Sequence, residues 1–434
     1  MRVPFRPMRV SVDQKQFPTI DLLLLILSIT VQFILGHLFG HIYDIRIFMS
    51  TGYLVGTGQN PYIPQDLSAV FYNLTFQNIT TIGYPPSWSL VLGLIYRTIY
   101  SIIPNFLIYN LAIKIPIIAA NICLAFLVAA MIRKLGADTT VARKAWIFLL
   151  FNPFLLFSST AWGQFDSIVA LLSLTSLVFL DSGKTKIAAI LLALAISLKP
   201  TASPLIPIAV FFLKKNPFRQ TLGYYGILFT GILFFCVVPF IIFNWDPSPI
   251  LRNWNAHFTV GGGISFMAFL ELIHNSYQLA GAWWLLGLLW IPALGIATYA
   301  LRPGIVGFKD LLKKSTALIL VFFLTLAWLS EPNIILILPL VLILTSIGEL
   351  DGLTLTAIWV LPLVFSFFNT AVAQLFFPSM PDIMNKLLKL SENYLTFRLI
   401  GKLIIAIIWQ YVGWRIVIRC FKKPSIALES IPPS

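Results

Sequence analysis

Ionisable, amide and aromatic side chains stand at the ends of apolar runs, or in the loops beside them, in this sequence of 434 residues. The set consists of Asp44, Gln164, Asp166, Lys199, Arg252, Trp254, His257, Glu331 and Asn333. Placing ionisable groups at membrane depth is costly, so such groups are commonly functional. A carboxylate can take a proton from a reacting hydroxyl, and a lysine or arginine can meet a phosphate. Gathered on one face of a membrane, these residues indicate an active site rather than an anchor.

The composition indicates a polytopic membrane protein. The chain is 58% hydrophobic and 11% charged, whereas a soluble domain is about 25% charged. Its net charge of +14 does not indicate a nucleic-acid partner, because the lysines and arginines lie in short clusters between apolar runs. This is the distribution that the positive-inside rule requires. The three cysteines have no metal-binding spacing, so no metal site is predicted from them.

The apolar runs predict an all-α fold with about twelve spans, because a spanning helix needs about 20 apolar residues. The candidate spans are roughly residues 18–40, 106–132, 145–161, 167–181, 186–199, 202–213, 220–243, 281–301, 315–330, 332–347, 353–375 and 399–418. Several of these runs are short, which predicts helices that stop or break beside a cavity.

The basic clusters predict the orientation of these spans. With twelve spans and both termini in the cytoplasm, every cluster is cytoplasmic. This topology requires the apolar segment 85–104 to be a re-entrant or interfacial helix, which its flanking prolines and Arg97 favour. The first outer loop is predicted to form two amphipathic helices lying on the membrane, with Arg46 and Ser50 facing away from it. The outer loops are then residues 41–105, 244–280 and 376–398.

A series of short motifs resembles a known family. The motifs are Asp44-Ile45-Arg46-Ile47-Phe48, Tyr84-Pro85-Pro86-Ser87-Trp88, Phe151-Asn152-Pro153, Gly163-Gln164-Phe165-Asp166, Leu198-Lys199 and Ser330-Glu331-Pro332-Asn333. In order and spacing they are similar to those of the GT-C superfamily of glycosyltransferases, which use polyprenyl-phosphate sugars as donors. Within it, the chain resembles the catalytic subunit of glycosylphosphatidylinositol mannosyltransferase I and its prokaryotic relatives.

The resemblance implies a polytopic helical protein of GT-C type, with a catalytic module in residues 1–345 and C-terminal helices and a cytoplasmic tail in residues 346–434. It implies an extracytoplasmic site that moves a sugar, mannose in this family, from a polyprenyl (dolichyl) phosphate to a glycan, lipid or protein acceptor. A small membrane subunit is a possible partner besides the lipid bilayer. The compartment is the plasma membrane in a prokaryote and the endoplasmic reticulum in a eukaryote.

One departure from the family concerns metal binding. The family pattern has an Asp-x-Asp pair in the first loop, whereas Asp44 is followed two positions later by Arg46. A divalent metal is therefore possible but not required by the sequence, and no cofactor is predicted. His37 and His41 have the i, i+4 spacing of metal ligands but lack an evident third ligand, so they are interpreted as interfacial residues.

Asp44 is the predicted general base for an inverting single displacement. Partial desolvation at the membrane surface is expected to raise its pKa toward the useful range. The alternative interpretation is that Asp44 only ends the first span by staying in water.

Lys199 is the predicted partner of the donor phosphate, because it closes an apolar run beside Pro200 and cannot easily leave the membrane edge. The alternative is a lysine that extends to lipid headgroups. Arginines on the same side could serve instead, with Arg252 as the second choice after Lys199; the others are Arg46 and Arg97.

The remaining candidates are assigned to the sugar. Asp166, with Gln164, is predicted to bind hydroxyls or to orient a cation, and Glu331 with Asn333 opens another span in the same way. Helix capping is the rival interpretation for both acids. Trp254 and His257 are the predicted aromatic platform, with membrane anchoring as their alternative. The rival function for the whole chain is a secondary transporter or flippase for lipid-linked sugars, which should show paired repeats and charges near mid-membrane.

Overall fold

The structure is a computed structural model that describes residues 19–251, 261–267 and 287–422. The protein is 75% helical with almost no strand, which confirms the predicted all-α class. The described strands are β1 (Gly262–Gly263) and β2 (Trp328–Leu329), which pair in parallel.

Helices of very different length build the fold. The α-helices are α1 (Thr19–Leu38), α2 (Ile42–Gly56), α3 (Ser68–Phe71), α4 (Pro86–Ile95), α5 (Phe106–Lys134), α6 (Thr139–Phe151), α7 (Pro153–Leu155), α8 (Asp166–Asp181), α9 (Thr185–Leu198), α10 (Ile208–Phe212), α11 (Phe218–Cys236), α12 (Val238–Ile242), α13 (Trp290–Tyr299), α14 (Gly307–Thr325), α15 (Leu338–Ser346), α16 (Gly352–Phe368), α17 (Ala371–Gln374), α18 (Pro381–Glu392) and α19 (Leu395–Phe421). Short 3₁₀ helices cover Leu74–Phe76, Pro200–Leu205 and Glu331–Leu336. Two π-helical turns cover Tyr96–Tyr100 and Leu156–Ala161.

Among the described residues, five helices are long and apolar enough to cross a membrane. They are Thr19–Leu38, Phe106–Lys134, Thr139–Ala161, Phe218–Ile242 and Leu395–Phe421. Further apolar helices of 10–17 residues are Thr185–Leu198, Pro200–Phe212, Glu331–Ser346 and Gly352–Phe368. Five long helices are fewer than the twelve predicted spans, because several apolar runs form helices shorter than about 20 residues.

Prolines account for one of the breaks between these shorter helices. Helix α9 ends at Leu198, and Lys199 has an extended backbone (φ −151°, ψ 124°) before the 3₁₀ turn that starts at Pro200. A residue before proline is driven out of the α region by contact with the proline ring. Lys199 therefore lies at the junction between α9 and the 3₁₀ turn.

The first outer loop packs inside the protein more than the sequence predicted. Helix α2 buries most of its residues, and Ser50, which was expected to face away from the membrane, is only 3% exposed. Arg46 is half-buried. Ser50 lies against residues of the segment 61–81, which covers that side of α2. The segment 85–104 forms the ten-residue helix α4 and a five-residue π-helical turn, both shorter than a span.

Gly52 sets the close approach of α2 to α4 and α5. A Cβ at this position would lie 2.2 Å from the Tyr109 hydroxyl and 2.9 Å from the Leu92 carbonyl oxygen. Gly52→Ala is therefore expected to lower the free energy of unfolding by about 1–3 kcal/mol through overpacking. Gly226→Ala is the matched control, since a Cβ at Gly226 in α11 meets nothing within 4 Å. Thermal unfolding in detergent measures both, and equal melting temperatures for the two variants would contradict this packing.

Candidate functional site

A cavity of about 690 Å³ lies where α2, the loop before α4, the turn after residue 161 and the chain around residue 330 meet. Its wall includes polar side chains from five separate parts of the chain, among them Asp44, Gln164, Glu331, Asn369 and Lys402. The volume is within the usual range for small-molecule sites, about 300–1,000 Å³. The structure thus brings together three of the sequence-predicted site residues, Asp44, Gln164 and Glu331.

Asp44 is held in place by two aromatic residues. The Trp162 Nε1–H donates to Asp44 Oδ2 at 2.5 Å, and His41 Nδ1 lies 3.2 Å from the same oxygen. The His41 and Trp162 rings stack with centroids 4.3 Å apart. These contacts fix the orientation of the carboxylate in the cavity wall.

The turn after residue 161 depends on a glycine. Gly163 has φ +98°, and a Cβ there would lie 2.7 Å from Ile45 Cδ1. This left-handed conformation is accessible to glycine without steric cost. It allows the turn to pack directly on α2, so that Trp162 and Gln164 both line the cavity.

The pKa of Asp44 is lowered from its ordinary value of 3.8. Burial is the largest influence and would raise it, but hydrogen bonds from His41, Trp162 and Gln164 and the charge of His41 together outweigh burial. The sequence-based expectation of a raised pKa was therefore wrong, because these donors could not be recognised from the sequence. The carboxylate is ionised at neutral pH and can accept a proton.

Glu331 is a second acid in the same wall with the opposite behaviour. It lies ahead of the predicted span 332–347, is only 2% exposed, and its Oε1 accepts a hydrogen bond from Asn369 Nδ2. Burial raises its pKa to about 7, although the charge of Lys402 acts in the other direction. Near neutral pH the Asp44 carboxyl group is therefore ionised, whereas the Glu331 carboxyl group is partly protonated. This difference in protonation distinguishes the two acids of the cavity.

This difference gives a prediction for the pH dependence of any sugar transfer in which Asp44 is the general base expected from the sequence. A general base works only when ionised, so the rate falls as the pH drops through its pKa. Asp44 stays ionised down to below its ordinary value of 3.8, whereas Glu331 takes up a proton near pH 7. With Asp44 as the base, wild type and Glu331→Gln are expected to give pH–rate profiles of the same shape between about pH 5 and 8. A fall near pH 7 that occurs in wild type and disappears in Glu331→Gln would instead assign the base to Glu331.

Lys199 and Asp166 form a buried ion pair. Lys199 Nζ lies 2.8 Å from both carboxylate oxygens, and the two residues are 5% and 1% exposed. The ammonium also lies 5.3 Å from the centre of the Tyr84 ring. Neither member of the pair lines the cavity. The charge of Lys199 is therefore balanced inside the protein by Asp166.

The other predicted residues are spread around the site. Arg46 donates to the carbonyl oxygens of Ile42, at 3.0 Å, and Thr75, and is not part of the cavity wall. Asn333 is buried behind Glu331, and its Oδ1 has no hydrogen-bond partner among the residues that the structure describes. Three of the predicted site residues lie outside the described part of the chain, namely Arg252, Trp254 and His257.

Lys114 does not line the cavity but connects two segments that do. Its buried Nζ donates to the carbonyl oxygens of Gly36 at 3.3 Å and Ala161 at 3.1 Å, and also to that of Phe39. The last carbonyl groups of a helix lack partners within the helix and can accept hydrogen bonds from a side chain. The lysine thereby ties the end of α1 to the π-helical turn that ends at Ala161. These two helix ends lead directly into the segments that carry His41 and Asp44, and Trp162 and Gln164.

Sequence reasoning missed several members of the wall, of which Lys402 carries the strongest signal. It stands inside the predicted span 399–418, where a charge is costly and commonly functional. Trp162 directly precedes the Gly163-Gln164-Phe165-Asp166 motif, but its hydrogen bond to Asp44 could not be predicted from spacing. Asn369 is at the C-terminal end of α16 and offered no signal.

Within the described ranges, no group of three or more His, Cys, Asp or Glu side chains that could hold a metal ion occurs. His41 is occupied by its contact with Asp44 and by stacking on Trp162. The carboxyl, amide and amino groups of the cavity wall can transfer a proton and bind hydroxyl and anionic groups.

No protein-family model matches this chain, and a search of curated proteins gives no significant match.

Proposed function

We propose that this protein is an integral-membrane glycosyltransferase that moves a sugar from a polyprenyl-phosphate donor to a glycan, lipid or protein acceptor. The observation that carries the proposal is a ligand-sized cavity whose wall contains a half-buried, ionised carboxylate, in a protein with several apolar helices. The resemblance of the motifs to GT-C mannosyltransferases makes mannose the first sugar to test.

The reaction is a single displacement with inversion at the anomeric carbon. The acceptor hydroxyl attacks that carbon from the face opposite the phosphate and gives its proton to Asp44. The bond between the anomeric carbon and the phosphate oxygen breaks, and the polyprenyl phosphate leaves with the electron pair. Phosphate is a good leaving group, so no general acid is needed. The hydrogen bond from Trp162 and the close contact with His41 keep the carboxylate oriented for this transfer.

A second feature supports a lipid-linked donor. An almost wholly apolar groove of about 490 Å³ runs between α4, α9, α11 and α12. Its lining includes Leu90, Leu198 and Phe234. Leu198 directly precedes Lys199, whose side chain lies against Tyr84 of the cavity wall. A polyprenyl chain in this groove would have its phosphate end near the cavity.

The proposed topology has about twelve spans, both termini in the cytoplasm and the active site on the extracytoplasmic side. It is supported by the origin of the cavity wall. Asp44 and Tyr84 come from the first predicted outer loop, and Gln164 and Glu331 come from predicted outer turns. The membrane is then the plasma membrane in a prokaryote and the endoplasmic reticulum in a eukaryote.

A transfer assay tests the proposed function. Purified protein in lipid nanodiscs is incubated with radiolabelled polyprenyl-phosphate mannose and a pool of glycolipid, saccharide and peptide acceptors. The expected result is label in an acceptor and release of polyprenyl phosphate. Heat-inactivated protein is the control. Absence of donor binding across several lipid-linked sugars would contradict the proposal.

A further inference from the structure

We infer that Lys402, on the last long apolar helix, binds the phosphate of the lipid-linked donor. The inference rests on the proposed function and deepens it, because it assigns the cation that the departing phosphate requires. The sequence alone had favoured Lys199 for this role.

Lys199 is poorly placed to meet a phosphate. Its ammonium already has two carboxylate contacts at 2.8 Å, and it does not line the cavity. A phosphate reaching Lys199 would have to compete with Asp166, and the buried carboxylate would then lose its partner. Breaking a buried ion pair in this way is strongly unfavourable, because it leaves an uncompensated buried charge.

Lys402 has the position that Lys199 lacks. It belongs to α19 (Leu395–Phe421), is half-buried, and lines the same cavity as Asp44. Within the described part of the cavity wall, it is the one lysine or arginine. A base and a phosphate-binding cation in one cavity are what the single displacement needs.

Lys402 contacts other residues as well as lining the cavity. Its Nζ lies 5.9 Å from the centre of the Phe365 ring, and Glu331 is near enough for the two charges to interact. An ammonium on an apolar helix is costly to desolvate, so its retention at a cavity wall indicates a functional role. When the donor bond breaks, the phosphodiester becomes a monoester with additional negative charge. A fixed cation favours that change, so it should assist the chemical step as well as binding.

Equilibrium binding and turnover of polyprenyl-phosphate mannose in nanodiscs test the inference. Lys402→Gln is expected to weaken donor binding about 10- to 100-fold, as for loss of a charge-assisted hydrogen bond, and to lower kcat as well. Lys402→Arg keeps the charge and is expected to stay close to wild type. Lys389→Gln, at an exposed lysine of α18, is the matched control and should bind normally.

A double variant separates phosphate binding from a merely structural role. If Lys402 only neutralises Glu331, then Glu331→Gln combined with Lys402→Gln should restore donor binding, and that result would overturn the inference. Under the inference, the double variant binds as poorly as Lys402→Gln.

Unchanged donor binding by Lys402→Gln, with a wild type that binds and transfers, would refute the assignment of Lys402 to the phosphate and leave the proposed function intact. A wild type that binds no donor would refute both. Normal donor binding by Lys402→Arg, and a wild-type melting temperature for Lys402→Gln, would show that misfolding does not cause the weaker binding of Lys402→Gln.

Discussion

Asp44→Asn is expected to lower kcat for sugar transfer by about 10²- to 10⁴-fold, the range for loss of a general base. The carboxamide oxygen can still accept the hydrogen bond from Trp162, so the cavity should keep its shape. It cannot take the proton of the acceptor hydroxyl. Donor affinity should therefore change little while turnover is nearly lost, which single-turnover kinetics with saturating donor would show.

The matched control is Asp66→Asn in the same loop. Asp66 is exposed, and its carboxylate only caps a local turn through the Ser68 amide and hydroxyl at 2.9 and 2.6 Å. This variant should transfer sugar at the wild-type rate. Normal transfer by Asp44→Asn would show that the base assignment is wrong, even if the protein proves to be a glycosyltransferase.

The second large effect concerns the buried ion pair. Lys199→Met is expected to lower the free energy of unfolding by about 3–5 kcal/mol, because Asp166 would remain buried without a counter-charge. Asp166→Asn should be similarly harmful, since it leaves the ammonium unpaired. The double variant Asp166→Asn/Lys199→Met removes both charges and is expected to be more stable than either single variant. Thermal and denaturant unfolding in detergent provide the comparison.

A more exposed ion pair offers the reference for this effect. Lys134 Nζ lies 2.5 Å from Asp181 Oδ2, with side chains 29% and 17% exposed. Lys134→Met is expected to cost only about 0–1 kcal/mol, because partly hydrated pairs contribute little. If Lys134→Met and Lys199→Met destabilise the protein equally, burial of the Lys199 pair is not the source of its importance.

The sequence allowed prediction of the helical class and of part of the cavity wall. Asp44, Gln164 and Glu331 could be recognised because each interrupts the pattern of apolar runs at a run's end. The partner of each residue could not be recognised, because partners are set by contacts between distant segments. Lys199 and Asp166 are 33 positions apart and meet only through the packing of α8 on α9. For this reason Lys199 was assigned to the phosphate, while Asp166 already balances its charge.

Helix lengths and burial were harder to predict than helix class. Apolar composition marks a segment as lipid-compatible, but it does not show where prolines and turns divide it. Composition also cannot distinguish a helix lying on a membrane from one covered by protein. Helix α2 illustrates this, since Ser50 is buried although the spacing of its neighbours indicated an exposed face.

The contacts of Lys114 have a consequence for how the protein is made. Its amine is satisfied by carbonyl groups that precede it in the chain, at Gly36 and Phe39, and by one that follows it, at Ala161. When α5 enters the membrane during synthesis, the Gly36 and Phe39 carbonyls have already been made. Docking of α5 onto α1 can therefore satisfy this polar group before the next helix is complete. The order of synthesis thus favours an early α1–α5 pair, to which the turn carrying Trp162 is added later.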